Sequence, residues 1–378
     1  MPMIDTASAS TDSALRPPPR HRRLTASDTP RLHRPLLWMV AAMGALAVIS
    51  LGAIVIDDRT LMGESVWLKP FKFGFAFVLY GFTLAWLLSL PHKGSRVTWW
   101  LGTMFAVTGF ADVGFIAVQA ARGTYSHFNN FQTDTINVIG QKIFMSGVPG
   151  LFLANLIIVL IISWQRLVDR PTAWAIRAGL LLAVTGMALG YLMGYTGKQF
   201  VRDADGRVVE LISGHTVLTD GSRSLAARDG VGGVMPITHW STIGGDLRIP
   251  HFVGLHGIQV LLLAVVTLAW LAPRYRWLRS ERARAALIGV LAIGYTGLLA
   301  IVFSQAIRAQ PLIHPDGITL TAFGGLVAGV GMLTISIYLR TRRSVPSATT
   351  AAAVQDATAP GLRDSRTTHI RPGRTQAG

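Results

Sequence analysis

The chain has 378 residues, of which 51% are hydrophobic and only 14% charged, with no cysteine and a formal net charge of +16. Without cysteine there are no disulfides, thiolate metal centres, Fe–S clusters or cysteine nucleophiles. Soluble domains are about one quarter charged, so the balance points to a membrane. The basic excess sits in two tails and in short loops, not on a folded face, which argues against a nucleic-acid partner.

Residues 1–35 are rich in Ser, Thr, Pro and Arg; such a segment cannot bury a core and is expected to be disordered. The apolar run behind it is of full spanning length and lacks a small-residue cleavage site, so the tail does not read as part of a cleaved signal. Eight spans follow at 36–56, 71–90, 98–120, 137–162, 173–195, 251–271, 285–305 and 319–339. Each is long enough to cross a bilayer at about 1.5 Å per residue. The predicted fold is an all-α, eight-helix transmembrane domain over 36–340, with a second loose basic tail over 341–378.

Lys and Arg set the orientation. The N-terminal tail, the second connection (Lys93, Arg96), the fourth (Arg166, Arg170, Arg177), the sixth (Arg274, Arg276, Arg279, Arg282, Arg284) and the C-terminal tail (Arg340, Arg342, Arg343) are all basic. All fall on one side if eight helices leave both termini in the cytoplasm of a cell with this protein in its plasma membrane. The connection 196–250 is then the one sizeable outer piece. Within it Asp205-Gly206 reads as a hairpin turn between Phe200-Val201 and Val208-Val209, and the segment is expected to lie on the helix ends.

An internal repeat is visible. Pro70-Phe-Lys-Phe-Gly74 opens the second span and Pro250-His-Phe-Val-Gly254 the sixth; Gln119-Ala-Ala-Arg122 closes the third and Gln305-Ala-Ile-Arg308 the seventh. The offsets, 180 and 186 residues, nearly agree, and four spans per half leave both halves in one orientation, as a parallel 4+4 duplication requires.

Polar residues inside the spans gather in their outer halves: Lys72, Asp112, Gln119, Gln141, Lys142, His256, Gln259 and Gln305. Asp112 lies roughly 12 Å below the outer end of its helix and Lys142 some 6–9 Å below the start of its own. A charge at such depth costs a few kcal/mol or more if unpaired, so an Asp112–Lys142 ion pair between neighbouring helices is expected. With His256 it would floor a pocket open to the outer face. Trp67, Lys69, Arg122, His127, Asn129, His239, Asp246, Arg248, Gln310 and His314 lie above this layer. The candidate ligand-binding set is Lys72, Asp112, Arg122, His127, Lys142, Asp246, His251, His256, Gln259 and Gln305. The competing reading is that buried polar residues fix packing alone.

His251 and His256, five residues apart, are about 140° apart around a helix and do not form an i, i+4 chelating pair. Only His256 is deep, which disfavours a bis-histidine haem between helices. His127, His239, His251, His256 and Asp246 could serve a metal, but no two show a diagnostic spacing. There is no Gly-x-Ser-x-Gly elbow, His-Glu-x-x-His motif or phosphate loop.

The segments WLKPFKF (67–73), ARGTYSHFN (121–129), GGDLRIPHFVGLHGIQ (244–259) and RAQPLIHPDGITL (308–320) together resemble a family of uncharacterised bacterial polytopic integral membrane proteins. The likeness spans about 36–340 and implies the fold and a bacterial membrane, with no activity attached to any residue. Three functions remain open. The first is binding or transport of a small polar or anionic molecule. The second is a membrane enzyme or metal/haem redox protein using His256 and His251. The third is a structural or assembly subunit.

Overall fold

The structure is a computed structural model that describes residues 32–165, 167–218 and 233–343. The tails expected to be disordered, and Arg166 of the fourth connection, lie outside the described residues, apart from the tail residues that begin the first helix and end the last. Among the described residues eight helices are long and apolar enough to cross a membrane: α1 Arg34–Ile56, α2 Leu68–Ser89, α3 Ser95–Ala121, α4 Thr135–Ser163, α5 Arg170–Tyr191, α6 Arg248–Leu271, α7 Glu281–Ile307 and α8 Gly317–Arg343. Each contains one of the predicted spans, to within a few residues at its ends, and most begin a turn earlier because their first turns are polar. Large apolar side chains point outward along the bundle, such as Trp38, Val55, Leu181 and Val266. A surface so broadly apolar is what hydrocarbon covers, and the protein is a multi-pass membrane protein.

The face carrying the α5–α6 connection is called here the loop face, and the opposite one the basic face. On the loop face three antiparallel strand pairs form: β1 Thr60–Leu61 with β2 Glu64–Ser65, β3 Gln199–Arg202 with β4 Val208–Leu211, and β5 Thr216–Val217 with β6 Gly245–Asp246. The β3–β4 hairpin has the expected turn, with Arg202 opposite Val208 and Gly206 at φ +78°. It lies on the other loops: Asn130 N donates to the Glu210 carbonyl, Ile212 N to the Phe128 carbonyl and Ala204 N to the Gly123 carbonyl.

The two halves, α1–α4 and α5–α8, follow one plan. In each, the first helix packs on the second and third, the second on the third, and the third on the fourth. Pro is the third residue and Gly the seventh of both α2 and α6. A Cβ on Gly74 would lie 2.9 Å from the Met43 carbonyl oxygen and 3.3 Å from Ala47; one on Gly254 would lie 2.5 Å from Gly186 and 3.0 Å from the Leu182 carbonyl oxygen. Met43 and Leu182, and likewise Ala47 and Gly186, are 139 residues apart, so the same helix crossing is built twice.

The turns that end α3 and α7 repeat in their backbone bonds and in one bond of each glutamine amide. Gln119 Nε2 donates to the Tyr125 carbonyl and Gln305 Nε2 to the Pro311 carbonyl, six residues on in both cases. Thr124 N donates to the Gln119 carbonyl and Gln310 N to the Gln305 carbonyl. Gly123 and Ala309 take the same left-handed turn position, at φ +67° and +57°. Arg122 then pairs with Asp134 at 2.7 Å and Arg308 with Asp316 at 3.2 Å. Both aspartates accept backbone N–H bonds at the start of the next helix, where a carboxylate satisfies orphan donors.

The halves differ in their fourth helices. α4 joins α3 to α5, and Asn155 at its middle accepts from the Tyr80 hydroxyl of α2 and donates to the Met187 sulfur of α5. α8 packs on α7, where Leu326 and Val330 meet Gly297 and Gly294, and only Thr319 of α8 is buried.

Candidate functional site

Polar side chains converge on the loop face where α2 and α6 begin. Neither N-cap residue, Trp67 or Leu247, makes a side-chain capping bond; the first N–H of α6, on Arg248, is met by the Asp246 carboxylate, so the positive end of the α2 dipole is the one left open to this region. Lys72 donates to a Glu64 carboxylate oxygen and, at 3.1 Å, to the Thr238 carbonyl. Arg248 grips Asp246 through Nε at 3.0 Å and a terminal nitrogen at 2.7 Å, and donates to the His239 carbonyl. Asp246, fully buried, also accepts from Ser241 N and Arg248 N. The turn 236–240 is thereby drawn between Lys72 and Arg248, and Ile237 and His239 in it adopt φ +67° and +54°. Such backbone is costly for a β-branched residue.

Lys69, one turn before Lys72, is partly buried; among the described residues it makes no hydrogen bond or ion pair. Four histidines surround the three cations. Burial, with Lys69 and His215 nearby, holds His127 well below the ordinary histidine range. Burial and the charges of Arg248 and Lys69 do the same to His215. His239 is lowered by burial, against the opposing pull of Glu64 at 3.9 Å. His251 donates from Nδ1 to the Gly186 carbonyl at 2.7 Å, which fixes Nε2 as the ring's acceptor. With neutral imidazoles, Lys72 and Arg248 are matched by Glu64 and Asp246, and Lys69 has no carboxylate paired to it among the described residues. His127 also lies among Phe73, Phe128 and Phe144.

The expected residues divide. Lys72, His127, Asp246 and His251 meet here. His256 stacks on Phe252 lower on α6, and Gln259 donates to Thr83 of α2 at 3.3 Å. Arg122 and Gln305 are spent in the repeated helix-end locks. The Asp112–Lys142 pair does not form, and the pocket floor drawn from it is corrected. Both Asp112 oxygens are buried without a hydrogen-bond partner. They lie against Gly147, where a Cβ would sit 2.2 Å from Oδ1. Lys142, five residues before Gly147, is turned about 140° from it on the helix and is exposed. Lys69, Glu64, Thr238 and His215 were absent from the sequence-derived set. Lys69 had a signal, its i, i+3 register with Lys72 on one face; the other three arrive through loop folding.

Among the described residues no three of His, Asp and Glu converge as metal ligands. Asp246, the carboxylate offered for that role, is taken up by Arg248 and backbone donors. No family model, curated protein or solved structure matches the chain.

Proposed function

We propose that the protein binds a small anionic molecule at the loop face, as a binding or transport protein in the plasma membrane of a bacterium. The loop face is extracytoplasmic and both termini are cytoplasmic, since the basic connections all lie opposite. Lys69 carries the reading: an ammonium beside Lys72 and Arg248, whose own charges are matched by Glu64 and Asp246, lacks a counter-charge that a ligand would supply. The uncapped N-terminus of α2 adds orphan N–H donors. Neutral His251 Nε2 offers an acceptor for a ligand hydroxyl, which suits a hydroxylated or protonated oxyanion.

The test uses the purified full chain in an uncharged detergent, with unfolding temperature read against sodium phosphate at ionic strength matched by sodium chloride. Phosphate should raise the unfolding temperature in a saturable way. Lys69→Gln should remove that response while leaving the unliganded protein as stable or slightly more so, because it deletes a like-charge contact and no ion pair. A wild-type protein indifferent to phosphate, or a Lys69→Gln protein with an undiminished response, would refute the reading.

A further inference from the structure

Of the 19 Asp and Glu residues in the chain, Asp112 alone lies within the apolar length of a span; Glu281 opens α7, and the rest lie in connections or tails. Asp112 is nine residues before the end of α3, about 13 Å along the helix from its loop-face end, and is 3% exposed. Neither of its oxygens has a hydrogen-bond partner. The other buried acids, Asp203 and Asp246, each accept from an arginine and from backbone N–H groups. No counter-charge faces Asp112 from the helices packed on α3, which are α1, α2 and α4. α1 has no charged residue between Arg34 and Asp57, Lys69 and Lys72 of α2 belong to the loop-face site, and Lys142 of α4 is exposed. Arg96 and Arg122 lie at the two ends of α3. What covers the carboxyl is Gly147 of α4, where an added Cβ would lie 2.2 Å from Oδ1 and 2.7 Å from Oδ2. An ionised carboxylate enclosed in this way would be a lone charge with neither donor nor counter-ion, far costlier than the neutral acid.

We infer that Asp112 is a proton-binding site, occupied while α4 is seated on it, and that loss of the proton to water unseats the outer half of α4. The proton fits because it neutralises the carboxyl by itself, whereas a metal ion would need further oxygen ligands around it. Once released, it leaves a carboxylate that requires water, and water reaches it when Gly147 moves away. The helix is built to part there. Pro149, two residues on, removes a backbone hydrogen bond from the interior of α4 and lets its halves bend. The outer half carries Phe144, whose ring meets that of His127 at 4.1 Å between centroids, and Gln141, which donates to the Ser126 carbonyl. This second site does not depend on the anion reading, but a movement of α4 at Asp112 is transmitted to the loop face through those two contacts.

The first measurement is the infrared spectrum of the full chain in an uncharged detergent across a range of pH. A protonated carboxylic acid has a carbonyl stretch separate from those of amides and carboxylates. At neutral pH that band should be present in the wild type and absent in Asp112→Asn, and it should be lost reversibly as pH rises. Asp112→Ser, also neutral, gives the same assignment if the amide variant does not fold. The band should be equal in sodium chloride and choline chloride. No band at neutral pH, a band that survives both substitutions, or one that does not titrate before the protein unfolds would overturn the proton site. A band present in choline and absent in sodium would make this a cation site and overturn the proton. The second measurement uses Ile116→Cys, the only thiol in an otherwise cysteine-free chain. Ile116 is 1% exposed and lies on the same face of α3 as Asp112 and Gln119, the latter bonded to Asn137 of α4. Its reaction with a small water-soluble maleimide is compared at each pH in the wild-type and Asp112→Asn backgrounds, which cancels the ionisation of the thiol. The two rates should be equally slow at neutral pH, and the wild-type background should become several-fold faster once the infrared band is lost. Equal rates throughout would overturn the unseating of α4.

Discussion

The first and second halves of the bundle share a plan and diverge in what they do with it. In α1–α4 the fourth helix is drawn into the centre, and the link between the first two helices is a short strand pair. In α5–α8 the fourth helix stays at the edge, and the corresponding link grows into a segment of some fifty residues, whose described residues 236–240 lie between Lys72 and Arg248. The chemistry lies on the seam between these unequal halves. α2 brings Lys69 and Lys72, and α6 brings Arg248 and His251, at nearly equivalent positions in the repeat. Repetition supplies two helix N-termini side by side, and divergence supplies the unlike side chains that make a site of them.

The most damaging way to probe the repeated crossing is to fill it. Gly254→Leu drives a side chain into Gly186, whereas a Cβ on Gly325 of α8, the first atom of Gly325→Leu, meets nothing within 4 Å. Overpacking of this severity should cost about 3 kcal/mol or more. The first variant should be lost from the monodisperse peak in size exclusion, while the second should elute like wild type. Equal yields would mean that α5 and α6 do not cross there. Next come the helix-end locks. Asp134→Ala and Asp316→Ala each remove a cap and an arginine partner, and each should lower stability by about 1–2 kcal/mol. Denaturation of one unaffected variant beside one damaged variant would break the equivalence of the halves.

The spans, their number and the repeat were legible in the sequence because hydropathy and short motifs with fixed offsets are local signals. The hairpin was legible through Asp205-Gly206. Half of the site was not. Depth along a helix follows from residue counting. Azimuth depends on which neighbour packs where, and Gly147 rather than Lys142 faces α3. Arg122 and Gln305 looked like site residues because buried polar groups in a membrane stand out; their partners are main-chain carbonyls and helix caps that only the folded turns reveal. Glu64, Thr238 and His215 reach the site through loops whose sequences carry no periodic signal.

Acid tests whether both halves share one pocket. His127 comes from the first half and His215 from the long link of the second; His127 faces Lys69 and His215, and His215 faces Arg248, Lys69, His251 and Lys72. Both rings are neutral when folded, and in the unfolded chain they would take up protons near pH 6.5. Stability from this source is therefore complete above about pH 6.5 and falls as pH drops below it, by at most about 1.4 kcal/mol per pH unit for each proton. His127→Gln and His215→Gln should each flatten part of the acid slope of the unfolding temperature, and the double variant should flatten more. A slope untouched by either would remove these rings from the cationic pocket.

The subtlest comparison is between Gly123 and Ala309, which occupy one turn position with different side chains. Both have positive φ, where a Cβ costs about 1 kcal/mol or more. Ala309 bears that cost in the native protein, so Ala309→Gly relieves steric strain but gives the unfolded chain more freedom to lose. The net expectation is a gain of up to about 1 kcal/mol. Gly123→Ala should lose at least as much, because its new methyl also lies 2.9 Å from the Ala204 Cβ and 3.2 Å from an Arg59 nitrogen. That neighbour is part of the first half's own link: Arg59 donates to the Ala121 carbonyl and to Asp57, whose carboxyl the Arg59 and Trp67 hydrogen bonds hold well below the usual carboxylate range. Opposite signs for the two substitutions in chemical denaturation would establish that the turns are equivalent in backbone and unequal only in side chain. If Ala309→Gly destabilises as much as Gly123→Ala, the two helix ends do not share a conformation, and the repeated turn at α3 and α7 would have to be given up.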